Sequence, residues 1–327
     1  MSRFARLLTR AAFGYLTLLP ALFLVESRFA EHHWILTTVA WAPQYPWLLG
    51  ALLLTGLSGA ARARKALVAS LAAALFAALV LMGPALSLHR DSGEGPSVRV
   101  LTLNAGTGRT SPADLVELLR RATPDIVCLQ EAGLALAGLS DGAALPVDGV
   151  EFTLVQDRGT AILTRLPLVA WEVHPLGFDT GRSVIEARVR TGEGEFTVLA
   201  THFFRGRIQS GAGRIGRALA DLTRSGEIHA KQIERLLEIA GAAPEPQVIA
   251  GDLNLPPRGR LYRRLTTHHA DAFRVAGMGY GYSFPASLPM LRIDYVLAGP
   301  GVRVRRCGVL STAGSDHRAV LAEVTLR

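Results

Sequence analysis

Three long stretches without charge, all in the first 88 residues, constrain this chain more than any other feature. Residues 11–25 carry no charged side chain and include Phe13, Tyr15, Leu16, Leu18, Leu19, Leu22, Phe23, Leu24 and Val25. Residues 34–61 and 66–88 are also uncharged, the last of them rich in Ala and Leu. A helix needs about 20 consecutive apolar residues to cross a bilayer, so three spans are expected, near 8–26, 40–61 and 66–88. Arg3, Arg6 and Arg10 ahead of the first run also suit a cleaved signal peptide. No small-residue cleavage site follows, however, and two more apolar runs come next. Pro43 and Pro46 lie among Trp41, Tyr45 and Trp47, a mixture that fits the interfacial end of a span better than its middle.

Loop charge gives the expected orientation. Three arginines precede the first run, and Arg62, Arg64 and Lys65 follow the second. The loop after the first run holds Glu26, Arg28, Glu31, His32 and His33 and is not basic. Basic loops stay in the cytoplasm, so three spans put everything after residue 89 on the other side. The same count disposes of a misleading signal. A net charge of +8 suggests nucleic acid, but residues 1–90 hold eight Lys/Arg against two Asp/Glu, or +6, leaving 27 against 25, or +2, for the rest. The basic excess is mostly a topology signal.

The expected organisation is an anchor over 1–88, a polar Gly/Ser/Pro linker over 89–97, and one domain over 98–327. Within that domain many apolar strands alternate with few helices. Strands are read at 98–103, 125–130, 168–173, 183–189, 196–201, 248–250, 292–297, 302–306 and 319–326, with a hairpin formed by 152–155 and 160–164. The stretch 132–150 reads as loop. Ser111, Pro112 and Asp114 form an N-terminal capping pattern for a helix reaching about residue 122. A second helix is expected over 227–240 and a short one near 260–265. Two sheets with helices outside are the economical arrangement. Cys128 and Cys307 lie in apolar strands and read as buried core residues, with no metal-type spacing.

The chemistry centres on Gly251-Asp252-Leu253-Asn254, at the end of the apolar run Val248-Ile249-Ala250. A carboxylate and an amide two apart in extended chain share one face. The carboxylate can take a proton from water and the amide can orient that water. Asn104, Glu131 and His202 likewise follow apolar strands, and Asp316-His317 precede one. Asp294 is the exception, expected inside its strand. Strand ends gathered at one edge of a sandwich form a pocket. Arg205, Arg207, Arg214 and Arg217 follow His202 in a Gly-rich loop and are candidates to bind a diphosphate or anionic headgroups. Arg182 and Arg292 are weaker candidates for phosphate contact.

In order along the domain, the stretches Leu103-Asn104, Leu129-Gln130-Glu131, Thr201-His202-Phe203, Gly251-Asp252-Leu253-Asn254, Ile293-Asp294-Tyr295 and Ser315-Asp316-His317-Arg318 resemble the endonuclease/exonuclease/phosphatase superfamily. The resemblance implies a four-layered α/β/β/α sandwich, here preceded by three transmembrane helices. It implies that Glu131 ligates a divalent metal, Mg²⁺ or in its place Mn²⁺. Asn104 would support the metal or a phosphate oxygen, and Asp316 would be a nearby ligand. Asp252 would position or deprotonate the attacking water and Asn254 orient it. His317, held by Asp294, would contact the scissile phosphate, with His202 as a second phosphate-contacting histidine. One departure is visible: many nucleases of the superfamily carry a second polar ligand two residues after the first Asn, where this chain has Gly106.

The anchored arrangement resembles a bacterial membrane-bound branch that includes proteins linked to teicoplanin resistance and undecaprenyl-pyrophosphate hydrolysis. The leading expectation is therefore a hydrolase of a lipid-linked phosphate outside the cytoplasm, its partners being that substrate and the membrane, with no protein partner evident. A membrane-anchored nuclease, a sphingomyelinase-like phospholipid phosphodiesterase and an inactive scaffold are the alternatives. The near-neutral domain disfavours nucleic acid, and a scaffold would be expected to have lost a site residue.

Overall fold

Ser2 caps the first apolar run: its hydroxyl accepts a hydrogen bond from Ala5 N, and α1 extends over Arg3–Phe29. Next come α2 (Trp34–Trp41), α3 (Tyr45–Ala60) and α4 (Arg64–Phe76), the last continued by a wide π-type turn over Ala77–Leu81. The computed structural model describes residues 2–31, 34–87, 96–177, 180–205, 214–311 and 314–326, without the side chains of 34 and 214–223. Arg207 and most of the expected linker lie outside the described residues.

Among the described residues two helices, Arg3–Phe29 and Arg64–Leu81, are long and apolar enough to cross a membrane. The middle stretch differs from the single span expected. Residues 42–44 separate α2 from α3, and Gln44 Nε2 donates to the carbonyls of Val39 and Ala42 at the end of α2. Pro43 disfavours helix in the residue before it, which ends α2 there. The remaining α3 has 16 residues, about 24 Å of helix against ~30 Å of hydrocarbon. Helix seams use small residues: Ala5, Leu8 and Ala12 meet Ala63, Ala66 and Ala69, while Leu19 meets Ala51, Ala73 and Ala77. Large apolar side chains such as Leu7, Leu53 and Val68 point outward, 63%, 65% and 68% exposed.

The chain forms two compact units, Met1–Pro84 with Arg258–Arg260, and Ala85–Pro257 with Leu261–Arg327. The second opens with β1 (Ala85–Leu86), β2 (Val98–Asn104), α5 (Pro112–Ala122), β3 (Ile126–Gln130), β4 (Ala144–Val147), β5 (Val150–Asp157) and β6 (Thr160–Thr164). Then come β7 (Leu168–Pro175), β8 (Ser183–Thr191), β9 (Gly194–His202), α6 (Arg214–Ala242) and β10 (Gln247–Asp252). It closes with α7 (Gly259–Leu265) from Leu261 onward, β11 (Ala270–Asp271), α8 (Ala272–Ala276), β12 (Met278–Gly279), β13 (Asp294–Ala298), β14 (Val302–Leu310) and β15 (Ala319–Leu326).

The strands make two large sheets, ordered β11-β13-β10-β9-β8-β7 and β14-β15-β2-β3-β6-β5-β4. Their facing side chains, among them Val100, Ile126, Cys128, Ile162, Phe196, Val198, Val248 and Val296, make one buried core. Behind the seven-stranded sheet, α5 buries Leu115, Leu118 and Leu119 against Leu101, Leu103 and Leu129. The capping box expected at its start is present, with Ser111 accepting from Asp114 N and Asp114 accepting from Ser111 N. Helix α6 covers the other sheet, where Gln247 Nε2 donates to Ala240 O and Phe203 meets the His229 ring. This is the four-layered α/β/β/α sandwich. Cys128 and Cys307 are buried and free, as expected.

Strand direction concentrates the polar ends. β2 runs parallel to β3, and β15 runs antiparallel to β2. In the other sheet β10 is parallel to β9 and antiparallel to β13. The last residues of β2, β3, β9 and β10 therefore share an edge with the first residues of β13 and β15. At Gly251 a Cβ would lie 1.9 Å from Thr201 O, so only glycine fits before Asp252. Several of the readings near the site differ from expectation. A strand, β4, lies within the stretch read as loop. α6 starts at Arg214 rather than near 227, which moves Arg214 and Arg217 from loop into helix. β13 starts at Asp294, two residues later than expected, and so Asp294 joins the shared edge. Asn254 lies beyond the strand with a left-handed φ of 47°, so alternation does not set its direction.

Candidate active site

Asp252 is the centre of the edge and is almost wholly buried. Its Oδ1 accepts from Asn254 N at 2.9 Å, and its Oδ2 accepts from Asn104 Nδ2 at 2.9 Å. The second bond joins the ends of the two sheets. Asn254 turns back on Asp252 because its backbone is left-handed, a conformation asparagine tolerates. Its Nδ2 reaches Phe203 O at 3.2 Å and Asp252 Oδ2 at 3.4 Å. Burial, and then the nearby Asp294 charge, raise the Asp252 pKa above that of an ordinary carboxyl.

Two histidines flank this carboxylate in different states. His317 Nδ1 is 3.0 Å from Asp294 Oδ2, and its Nε2 is 3.9 Å from Asp252 Oδ2. Burial opposes its charge, but Asp294 and then Asp252 outweigh that and raise its pKa to about 9. His202 Nε2 lies 3.6 Å from Asp252 Oδ2 and 3.9 Å from Glu131 Oε1. Burial dominates here and brings its pKa down to about 4. The Nε2 atom is buried and has no hydrogen-bond partner, so it faces the space between the two carboxylates. Its Nδ1 is 2.7 Å from Arg182 Nη1.

Glu131 follows β3 with a left-handed φ of 52°. Its Oε2 accepts from Thr107 N at 2.8 Å and Thr107 Oγ1 at 2.5 Å, and Asn104 Nδ2 is 3.4 Å from its Oε1. Burial opposes its charge, yet the Thr107 bonds bring its pKa down to about 2. An ionised, half-buried carboxylate with one lightly engaged oxygen suits a hard divalent cation. Asp316 stands apart from Glu131 in its contacts: its Oδ2 is 3.7 Å from Arg109 Nε. Its Oδ1 would lie 2.8 Å from a Cβ at Gly106. The space a polar ligand at 106 would need is thus taken by Asp316 and Arg109. Among the described residues, three groups close enough to share a cation are Asp252, Asp294 and His317. There the His317 imidazole already answers both carboxylates, Nδ1 at 3.0 Å from Asp294 Oδ2 and Nε2 at 3.9 Å from Asp252 Oδ2, so Glu131, with a lightly engaged oxygen, fits a metal better.

The edge therefore brings together Asn104, Glu131, His202, Asp252, Asn254, Asp294 and His317. Arg205 lies beside it, its guanidinium 5.1 Å from the Phe284 ring, which in turn is 4.7 Å from the His317 ring. Arg292 is not at the pocket: it is buried and paired with Asp271 at 2.6 Å. Sequence reasoning passed over one contributor, Thr107, and held Arg182 only as a weaker candidate for phosphate contact. Thr107 follows the strand-end Asn104 with no motif to mark it. Arg182 lies just before β8: the register of Val184 with Thr201 would put Ser183, not Arg182, opposite His202, and the arginine reaches the His202 ring from outside the ladder.

The family described as Endonuclease/Exonuclease/phosphatase matches residues 101–317. No curated protein sequence matches the chain. Similar solved structures include an endonuclease/exonuclease/phosphatase family protein from Bacteroides thetaiotaomicron, 16% identical with a TM-score of 0.51, covering 72% of this chain and 97% of that one. The mannosyl-6-phosphatase Bt3783 of the same organism is 16% identical with a TM-score of 0.51, covering 70% of this chain and all of that one. A humanized D. rerio TDP2 is 18% identical with a TM-score of 0.52, covering 70% of this chain and 99% of that one. At these identities the likeness is one of fold. The family match spans about two thirds of the chain, which belongs to the endonuclease/exonuclease/phosphatase family, a group of phosphoester hydrolases.

Proposed function

We propose that this member of the family is a membrane-anchored, metal-dependent hydrolase of a phosphate, diphosphate or phosphodiester on a lipid headgroup, acting outside the cytoplasm. The observation that carries the reading is the pairing of this hydrolytic edge with an N-terminal unit whose helices turn large apolar side chains outward. Small residues inside and large apolar ones outside suit lipid as the solvent. Tethering at the bilayer would raise the effective concentration of a lipid substrate. An isoprenyl diphosphate is the favoured substrate, with Arg205 available to its outer phosphate. A phosphodiester of the sphingomyelin kind is the alternative.

In this reading Asp252 accepts the proton of the attacking water, whose approach Asn254 orients. Asn104 holds Asp252 in place across the two sheets. His317, charged and fixed by Asp294, offsets charge gathering on the phosphoryl oxygens. Glu131, supported by Asn104 and Thr107, would hold the divalent cation, Mg²⁺ in the first instance. When bound, the cation supplies Lewis-acid neutralisation of phosphate oxygens. Asp316 is proposed as an auxiliary ligand that would have to leave Arg109 to serve.

The test is hydrolysis by the full-length protein in detergent with Mg²⁺, read as phosphate release from isoprenyl diphosphate and as release of the phosphorylated headgroup from phospholipids and sphingomyelin, with DNA cleavage in parallel. Turnover of the isoprenyl diphosphate that disappears in EDTA is expected. DNA cleavage without lipid turnover would replace this reading with an anchored nuclease. The orientation has its own check. A reporter fused after residue 327 should read as extracytoplasmic, because the basic residues lie in the opposite loops. A cytoplasmic signal would return the site to cytosolic substrates.

A further inference from the structure

We propose that Arg182 is a positioning residue that fixes His202 as an Nε2–H donor, aimed at the phosphoryl or water oxygen that enters beside Asp252. The proposal rests on the hydrolase reading for the identity of that oxygen, but not for the state of the histidine.

The argument begins from what each group can do. A guanidinium carries only N–H donors and keeps its proton. Arg182 Nη1 stands 2.7 Å from His202 Nδ1, so Nδ1 must accept through its lone pair. A proton on Nδ1 would point at another N–H. The imidazole hydrogen is therefore left on Nε2. That atom is buried and without a partner. Its nearest anionic atoms, Asp252 Oδ2 at 3.6 Å and Glu131 Oε1 at 3.9 Å, are beyond hydrogen-bond length. A buried N–H left unbonded between two carboxylates marks a position for an acceptor that is not part of the chain. With the guanidinium behind it, His202 cannot offer a lone pair from Nε2, so it serves there as neither base nor metal ligand.

The fold holds Arg182 in this place from several directions. It stands one residue ahead of β8, where the register of Val184 with Thr201 brings the start of β8 alongside the end of β9. Its backbone carbonyl accepts from Leu176 N at 2.9 Å, and Ser183 Oγ donates to Asp157 Oδ2 at 2.7 Å. The two histidines then divide the work. His317 has Asp294 at its Nδ1 and His202 has a cation there, and opposite partners at equivalent atoms give opposite states.

The experiment is ¹⁵N spectroscopy of full-length protein labelled at histidine, in detergent, with His202→Gln used to assign the signal. The native His202 should show an unprotonated Nδ1 and a protonated Nε2. Arg182→Met should shift this ring toward the other tautomer and lower kcat by about 10²-fold, as expected for a misdirected donor, with little change in KM. Arg182→Lys, which keeps a donor, should restore the native tautomer and most of kcat. A native His202 with its proton on Nδ1 overturns the proposal without any variant. An Arg182→Met protein that keeps the native tautomer, but binds inorganic phosphate more weakly with a raised KM, also overturns it and makes Arg182 a direct phosphate contact. The tautomer needs no substrate, so its result stands even if no lipid is turned over. Should Arg182→Met fail to fold, Arg182→Leu, which also lacks a donor, provides the same comparison.

Discussion

Asp252→Asn should lower turnover by about 10³–10⁴-fold while leaving the protein as stable as before or slightly more so. The rate loss follows from the bonds around the carboxylate. Oδ1 is occupied by Asn254 N and Oδ2 by Asn104 Nδ2. An asparagine can keep only one of these two acceptor positions. The amide nitrogen must then meet either Asn254 N or Asn104 Nδ2, donor against donor. Turning it toward Asn104 keeps the backbone bond, but puts an NH₂ where the proton-accepting oxygen stood. General-base catalysis contributes about 10²–10⁴-fold, and the misplaced amide adds to that loss. Stability moves the other way. Asp252 is a buried carboxylate beside Asp294, and both burial and Asp294 disfavour its charge. Removing the charge relieves this repulsion and offsets the lost hydrogen bond, as expected of a site kept for function rather than stability. Phosphate release and thermal unfolding of the same preparation check both halves. Activity within tenfold of native would remove Asp252 from the role of base.

How far the sequence could be read depended on the range over which the determining physics acts. The capping box at Ser111 and the hairpin around Asp157-Arg158-Gly159 are local, and they were legible residue by residue. Asn104, Glu131, His202, Asp252 and His317 were legible because each stands beside an apolar strand, and polar residues there are conspicuous. That the two sheets meet through Asn104 and Asp252 is a non-local fact, and only the short ordered motifs of a known family suggested it. The misreadings have physical reasons too. Asp294 was placed inside a strand because Ile293 continues the apolar pattern, but pairing with β10 begins only at Asp294, opposite Asp252. Asn254 was placed by alternation, which fails once the backbone turns left-handed. The middle apolar helix starts at Tyr45 rather than near 40 because of Pro43, whose effect on the preceding residue outweighs the hydropathy of the window. Arg182 and Arg292 look alike in sequence, two arginines near apolar strands. Their different roles depend on partners that no spacing reveals, a histidine for one and a buried aspartate for the other.

Arg292→Met should destabilise the catalytic unit by about 3–5 kcal/mol, the usual cost of stranding one member of a buried ion pair. Arg292 and Asp271 are 3% and 1% exposed and 2.6 Å apart. Burial opposes the guanidinium charge, but Asp271 outweighs it and raises the arginine pKa. Its plane also lies 5.0 Å from the Tyr295 ring and 5.6 Å from the Phe273 ring. Methionine can fill much of the volume but cannot answer the carboxylate. Asp271 cannot leave, because its Oδ1 caps α8 through Phe273 N and Arg274 N, and its Oδ2 accepts from Tyr262 Oη. Adding Asp271→Asn to Arg292→Met should therefore recover part of the loss. Asparagine keeps the cap and brings no charge, so the two changes should be strongly non-additive. Denaturant unfolding of the single and double variants measures that coupling. Additive losses would mean that the pair is not a unit. The effect should also reach the active site. Tyr295 Oη donates to Arg292 O and Leu255 O, tying the chain just before Asp294 to the chain just after Asn254. Loosening Arg292 thus loosens the support of His317 and of Asp252 together, so kcat should fall in folded Arg292→Met protein although Arg292 touches no reacting atom.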